Sequence, residues 1–113
     1  MHQAARISKL FPEDVQHEIG HALELAQRGS KHVDAKPLKG FGGAGVLEII
    51  DNYDGDTYRA VYTVRFSEVV YVLHCSQKKS KSGIATPKQD LDLIKTRLEV
   101  AEELYAVWQE RKR

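Results

Sequence analysis

The chain has 113 residues, 42% hydrophobic and 29% charged, with 17 basic against 16 acidic side chains and a net charge of +1. These values fit one compact domain over residues 1–113 and exclude a multidomain enzyme, a disordered or collagen-like chain and, with no apolar run near ~18 residues, a membrane-spanning helix. Met1 to Leu10 lacks the apolar stretch and cleavage site of a secretory leader. One cysteine, Cys75, cannot staple a domain, so the expected home is the reducing cytoplasm.

The near-zero net charge conceals segregation along the chain. Arg28, Lys31, Lys36 and Lys39 stand against Asp34 alone between Arg28 and Gly43, and Lys78, Lys79, Lys81 and Lys88 occur with no acid between Gln77 and Gln89. Glu48, Asp51, Asp54 and Asp56 lie between these segments with no cation among them. If the fold brings the two basic segments together, their field attracts phosphates.

Phe11-Pro12-Glu13-Asp14 places a proline and two acids where a helix start favours them. Val15, Ile19, Ala22, Leu23 and Ala26 then recur at helical spacing before Arg28-Gly29, predicting a helix over about 12–28. The glycine-rich stretch from Ser30 to Gly45 reads as a loop, with a short helical turn near Asp34 to Leu38. Val46–Ile50 is a β-prone run, and Asp54-Gly55-Asp56 marks a hairpin turn into a second strand, Thr57 to Phe66. Period-two alternation there sets Tyr58, Ala60, Tyr62, Val64 and Phe66 on one face and Thr57, Arg59, Val61, Thr63 and Arg65 on the other. Ser67-Glu68 turns the chain into Val69 to Gln77, whose near-continuous apolar content predicts a strand covered on both sides. After a polar loop, Thr86-Pro87-Lys88-Gln89 reads as a capping box opening a long final helix. Leu91, Leu98 and Tyr105, and Ile94, Ala101 and Trp108, repeat along that helix every seven residues as a packing stripe closed by Trp108. The expected fold class is α+β.

His17-Glu-Ile-Gly-His21 matches H-E-x-x-H, the pattern in which two histidines one helical turn apart hold zinc and the glutamate activates water. Too little chain precedes His17 to build the substrate-aligning sheet of such proteases. The extended pattern also needs glycine and histidine where the chain has Glu24 and Gln27. No resident metal and no cofactor is expected; a solvated helix face carrying two histidines is the bland alternative, and adventitious binding of nickel or zinc at His17 and His21 stays open.

Leu38-Lys-Gly-Phe-Gly-Gly-Ala-Gly-Val-Leu-Glu-Ile49, then Tyr58-Arg-Ala-Val-Tyr-Thr-Val64, then Tyr71-Val-Leu-His-Cys-Ser-Gln-Lys-Lys-Ser-Lys-Ser-Gly-Ile-Ala-Thr-Pro87 form an ordered trio over most of the chain. In these segments the sequence resembles the phage-derived, HigB-like branch of the RelE/ParE toxin superfamily. The resemblance implies a RelE-like toxin of a type II toxin–antitoxin module: an N-terminal helix, a three- to four-stranded, mainly antiparallel twisted sheet and a long C-terminal helix. It implies as partners a helix-turn-helix, HigA-like antitoxin, mRNA and the ribosome. It also implies that Arg59 contacts the scissile phosphate, that Lys78, Lys79 and Lys81 form a second basic cluster, and that Lys39 lies in a basic loop before the sheet. Two departures stand out: Glu48 occupies the strand where characterised members carry lysines as general base, and no tyrosine follows Lys81. The strand that usually precedes the first helix is not legible in Met1 to Leu10, which leaves a sheet edge open to another chain, such as a second copy.

Metal-free RNA cleavage needs a base for the 2′-OH, charge to stabilise the phosphorane and an acid for the leaving oxygen. Arg59 with Lys78 or Lys79 suits the second task and His74 is the candidate acid or base, while Lys39, Lys81 and Arg65 are candidate RNA contacts. Each has a plainer reading: Arg59 paired with Glu48 or Asp51 across the hairpin, His74 as a core histidine, Arg65 as a solvated strand end, and the lysines as a solvated loop. The nuclease reading requires Arg59 and the lysines to share one surface. The alternatives are a ParE-like, noncatalytic inhibitor of a protein target such as DNA gyrase, or an inactive prophage remnant.

Overall fold

A computed structural model of the protein describes residues 2–3, 10–41, 45–78 and 86–112. The chain forms two compact units, 1–83 and 84–113. The first holds β1 (His2–Gln3), α1 (Glu13–Gln27), β2 (Lys36–Pro37), β3 (Val46–Tyr53), β4 (Asp56–Thr63) and β5 (Val69–Lys78), and the second is built on α2 (Lys88–Lys112). The class is α+β, as the sequence predicts. The sheet order is β1-β5-β4-β3-β2, antiparallel except for the β1–β5 pair.

Helix α1 begins and ends where its residues dictate. Pro12 has no N–H to leave unsatisfied and its carbonyl accepts from Gln16 N at 2.9 Å, while Glu13 and Asp14 sit at the positive end of the helix dipole. At the other end Gly29 takes φ +83°, so that Gly29 N reaches Ala26 O at 3.0 Å and Ser30 N reaches Leu25 O at 2.8 Å, a Schellman closure. The periodic residues Val15, Ile19, Ala22, Leu23 and Ala26 are all buried, against Ile49, Tyr58, Ala60, Tyr62, Val70 and Val72 of the sheet. Phe11 closes this core with its ring edge on Tyr58, centroids 5.0 Å apart.

Several boundaries differ from the sequence reading, each for a local reason. The expected helical turn near Asp34 to Leu38 is instead a turn at His32–Ala35 followed by β2, paired with Leu47 and Glu48. Pro37 disfavours helical backbone at Lys36 and donates no hydrogen bond, so it is tolerated on an edge strand. The first hairpin is tighter than predicted: β3 runs to Tyr53, and Asp54 and Gly55 alone turn the chain with φ of +51° and +86°, as a two-residue type I′ turn requires. β4 stops at Thr63 rather than Phe66. Thr63 Oγ1 donates to Gly45 O at 3.0 Å and accepts from Arg65 N at 3.1 Å, and Val64 N bonds to Gly45 O at 2.8 Å, which ends the ladder. Gly45 sits at φ +73° with the Arg65 backbone 3.2 Å from where a Cβ would stand, so only glycine fits this crossing without strain. The strand missing from the sequence reading is the two-residue β1, parallel to Val69 and Val70 of β5.

Tyr62 is fully buried, its hydroxyl has no hydrogen-bond partner among the described residues, and burial pushes its phenol up. Removing an unsatisfied buried hydroxyl while keeping the ring loses no bond. Tyr62→Phe is therefore expected to leave stability unchanged or raise it by about 1 kcal/mol in urea denaturation; a fall of that size would mean the hydroxyl is satisfied.

Helix α2 starts on Pro87, whose carbonyl accepts from Leu91 N at 3.0 Å. The expected capping box is not formed, because Thr86 Oγ1 has no hydrogen-bond partner among the described residues. The heptad stripe is the buried side of the helix: Ile94, Leu98 and Ala101 are buried, and Leu91, Tyr105 and Trp108 are half-buried. Trp108 is thus a partly exposed ring with the Lys112 ammonium 4.7 Å from its centroid, rather than a core residue. Among the described residues no helix is long and apolar enough to cross a membrane.

Candidate functional site

The two faces of the sheet follow from the register. On β3, β4 and β5 the face toward α1 carries Leu47 and Ile49, Tyr58, Ala60 and Tyr62, and Val70, Val72 and Cys75. The opposite face carries Glu48 and Ile50, Thr57, Arg59, Val61 and Thr63, and on β5 His74, Ser76 and Lys78. Arg59 lies directly opposite Ser76, His74 opposite Val61, and Lys78 opposite Thr57. His74 and Lys78 are thus the two diagonal neighbours of Arg59 across the β4–β5 pair, about 7–8 Å away at the backbone.

A β-bulge makes this arrangement. The β4–β5 register shifts between Val61 and Tyr62, so that Val72 faces Tyr62, His74 faces Val61, and Leu73 is the extra residue. Without it, strict alternation from Tyr71 would turn His74, Ser76 and Lys78 toward α1. One inserted residue therefore transfers the polar end of β5 to the face of Arg59. Nothing in the apolar run from Val69 to Leu73 marks where the bulge falls.

Arg59 itself is 5% exposed, and its Nε lies 3.7 Å from Glu48 Oε1, with the Glu48 side chain 12% exposed. Of the two cross-hairpin partners weighed from sequence, Glu48 shares the face of Arg59 and Asp51 does not. His74 and Lys78 are half-buried. Lys36, opposite Glu48 in β2, adds a third cation to this face at the sheet edge.

The other predicted contacts lie elsewhere. Arg65 follows the end of β4 beside Gly45, exposed, its guanidinium 5.8 Å from the Phe66 ring centroid. Lys39 follows β2 at that same end, where Leu38 N bonds to Val46 O. That end is about 20 Å along β4 from the Thr57–Lys78 pair and about 14 Å from Arg59, so Lys39 and Arg65 lie at the far end of the strand from Arg59 and Lys78. Lys79 and Lys81 lie outside the described residues. A separate groove of about 530 Å³, lined by Ala26, Leu47, Val64 and Phe66 among others, includes none of the predicted residues.

The H-E-x-x-H residues are used differently from the zinc pattern. His17 and His21 are exposed on α1, but the carboxylate of Glu18 is taken by His32 Nε2 at 2.5 Å, and His32 Nδ1 accepts the Asp34 amide at 3.0 Å. The amide fixes the tautomer, so Nε2 carries the proton donated to Glu18. His32 is the polar residue that the sequence reading missed: it is 5% exposed, edge-on to the His21 ring with centroids 5.6 Å apart. No group of three metal-ligating side chains is assembled among the described residues.

Asp51 lies on the α1 side of this acidic corner. Burial first, then the charges of Glu18, Asp34 and Asp14, raise its carboxyl above the usual range, with His32 opposing. A raised folded-state value means that stability falls as pH rises through the carboxylate range, and the penalty is complete at neutral pH. Asp51→Asn is therefore expected to raise the Tm at pH 7 and to leave it unchanged in acid, where Asp51 is already neutral; thermal scans across pH 3–7 check this.

A family model, Phage derived protein Gp49-like (DUF891), matches residues 8–99, from before α1 into α2. No curated protein and no solved structure matches the chain. With most of its length covered, the chain belongs to the phage-derived Gp49-like family, a family of toxin-like proteins.

Proposed function

We propose that this protein is the HigB-like toxin of a type II toxin–antitoxin module. In this reading it cleaves mRNA at the ribosome without metal or cofactor, acts in the cytoplasm, and is silenced by a helix-turn-helix, HigA-like antitoxin. Membership of a phage-derived, toxin-like family supports the biological role. The observation that carries the chemistry is the bulge at Leu73, which sets His74 and Lys78 on the face of Arg59. Such a face offers a planar fork for nonbridging phosphate oxygens, an ammonium for developing charge, and an imidazole able to donate or accept a proton. Arg59 is buried beside Glu48, so engaging a phosphate through it requires the guanidinium to be uncovered.

The test is induction in cells with transcript 5′ ends mapped. New ends that appear with the wild type and disappear with His74→Asn and Lys78→Ala support the reading. Intact transcripts during growth arrest overturn it and leave the ParE-like reading, inhibition of a protein target such as DNA gyrase. The burial of Arg59 favours that second reading, and a supercoiling assay with purified gyrase reads it directly. Harmless induction marks a prophage remnant.

A further inference from the structure

The outer edge of β3 is only partly used. Tyr53 and Asp56 flank a two-residue turn and bond to each other, so the alternation of an antiparallel ladder points the backbone groups of Ile49 and Asp51 toward β4 and those of Glu48, Ile50 and Asn52 away from it. The bond from Leu38 N to the outward carbonyl of Val46 has the same parity. β2 pairs with Leu47 and Glu48 and then leaves the ladder, because the chain before Lys36 turns back toward α1, where His32 meets Glu18. The outward N–H and C=O groups of Ile50 and Asn52 therefore have no strand partner among the described residues. Such groups are a template for one more strand.

The charges beside this edge decide what can fill it. On its α1 side, Glu18, Asp34 and Asp14 all act on Asp51, and among the groups that do so only His32 opposes them. Asp14 and Asp34 are exposed. Lys36, at the same edge, stands opposite Glu48 and so belongs to the other face. A second copy fits badly. The antiparallel register that joins Ile50 of one chain to Asn52 of the next sets Asp51 directly across from Asp51, with Cβ atoms ~5 Å apart, where like charges repel. An incoming strand with a lysine or arginine at that position turns the same crowding into attraction, since its side chain shares the face of Asp51 and the three neighbouring acids. We infer that the free edge of β3 takes up an extended basic segment of another protein by strand addition, its backbone bonded to Ile50 and Asn52 and a lysine or arginine set opposite Asp51. The inference concerns this edge alone and stands whether or not the chain cleaves RNA.

The probe is a labelled ten-residue peptide of alternating lysine and threonine, titrated against the full chain by fluorescence anisotropy at low salt. In the free chain the amides of Ile50 and Asn52 are expected to exchange with solvent much faster than those of Ile49 and Asp51, and in the complex to slow at least tenfold. The same peptide N-methylated at every threonine keeps its charge but cannot donate to the edge, and should lose at least tenfold in affinity. The variant Asp34→Lys/Asp51→Lys, at two positions outside the apolar core, is expected to lose at least tenfold in affinity for the lysine peptide and to gain affinity for a glutamate–threonine one; unchanged circular dichroism confirms its fold. Absence of binding, binding indifferent to N-methylation or to the charge reversal, or binding that leaves the Ile50 and Asn52 amides unchanged overturns the inference. So does protection of those amides in the free chain: if it rises with protein concentration a second copy holds the edge, and if it does not the chain itself fills it.

Discussion

Arg59→Ala is expected to destabilise the fold by about 3–5 kcal/mol, read as a lower urea midpoint with an unchanged slope. The guanidinium is 5% exposed and the Glu48 side chain 12%, so truncating Arg59 leaves a largely desolvated carboxylate beside Ile50 and Val61 with its nearest cation gone. Replacing both partners with apolar side chains of similar size is a different experiment. Glu48→Met/Arg59→Leu removes the desolvation cost together with the attraction and is expected to recover most of the stability. The pair of variants separates structure from chemistry, because an unfolded chain is inactive whatever Arg59 does. If the chain arrests growth as proposed, a stable but harmless double variant places the Glu48–Arg59 pair in that activity; a stable one that still arrests growth leaves it a structural ion pair. A cost below about 1 kcal/mol for Arg59→Ala would show that the pair is solvated, like an ordinary surface bridge.

The second large effect is on the opposite side of the sheet. Ile19→Ala is expected to cost about 2–5 kcal/mol, because the side chain is fully buried between α1 and a sheet that offers Ile49, Ala60 and Tyr62 around it. The range depends on how far those neighbours close the space left behind. Val33→Ala, at a position 91% exposed, is the matched control and is expected to change stability by less than about 0.5 kcal/mol. Equal effects at the two positions would contradict the packing of α1 on the sheet.

What was legible in the sequence was mostly periodic or chemical. The five apolar positions of α1 repeat at 3.6 residues, and burying them on a common face is the simplest way to satisfy them. The turn at Asp54-Gly55 announces itself, since two successive positive φ values are inexpensive only for such residues. The alternation of β4 was right as far as Thr63, and it put Arg59 on the face away from Tyr58 and Tyr62. What escaped depends on contacts between distant segments. β1 and β2 are two-residue strands defined by their neighbours β5 and β3, and no period can be read from two residues. The bulge at Leu73 is invisible in a run where every residue is apolar, yet it decides which face His74 and Lys78 occupy. The His32–Glu18 pair joins a loop to α1 across fourteen positions, so the partner that the fold gives Glu18 is not written in the H-E-x-x-H spacing, whose zinc reading the sequence already argued against.

The parallel pairing of His2 and Gln3 with Val69 and Val70 has a bearing on how the sheet assembles. The two hairpins β3–β4 and β4–β5 join neighbours in the chain, so each closes a small loop and gains its ladder at modest entropic cost. β1 instead waits for nearly the whole first unit to be in place, and two residues give it little hold once there. Refolding should add it last, and amide exchange should reach its bonds to β5 well before those of the central hairpins, making the beginning of the chain the place where this sheet first comes undone.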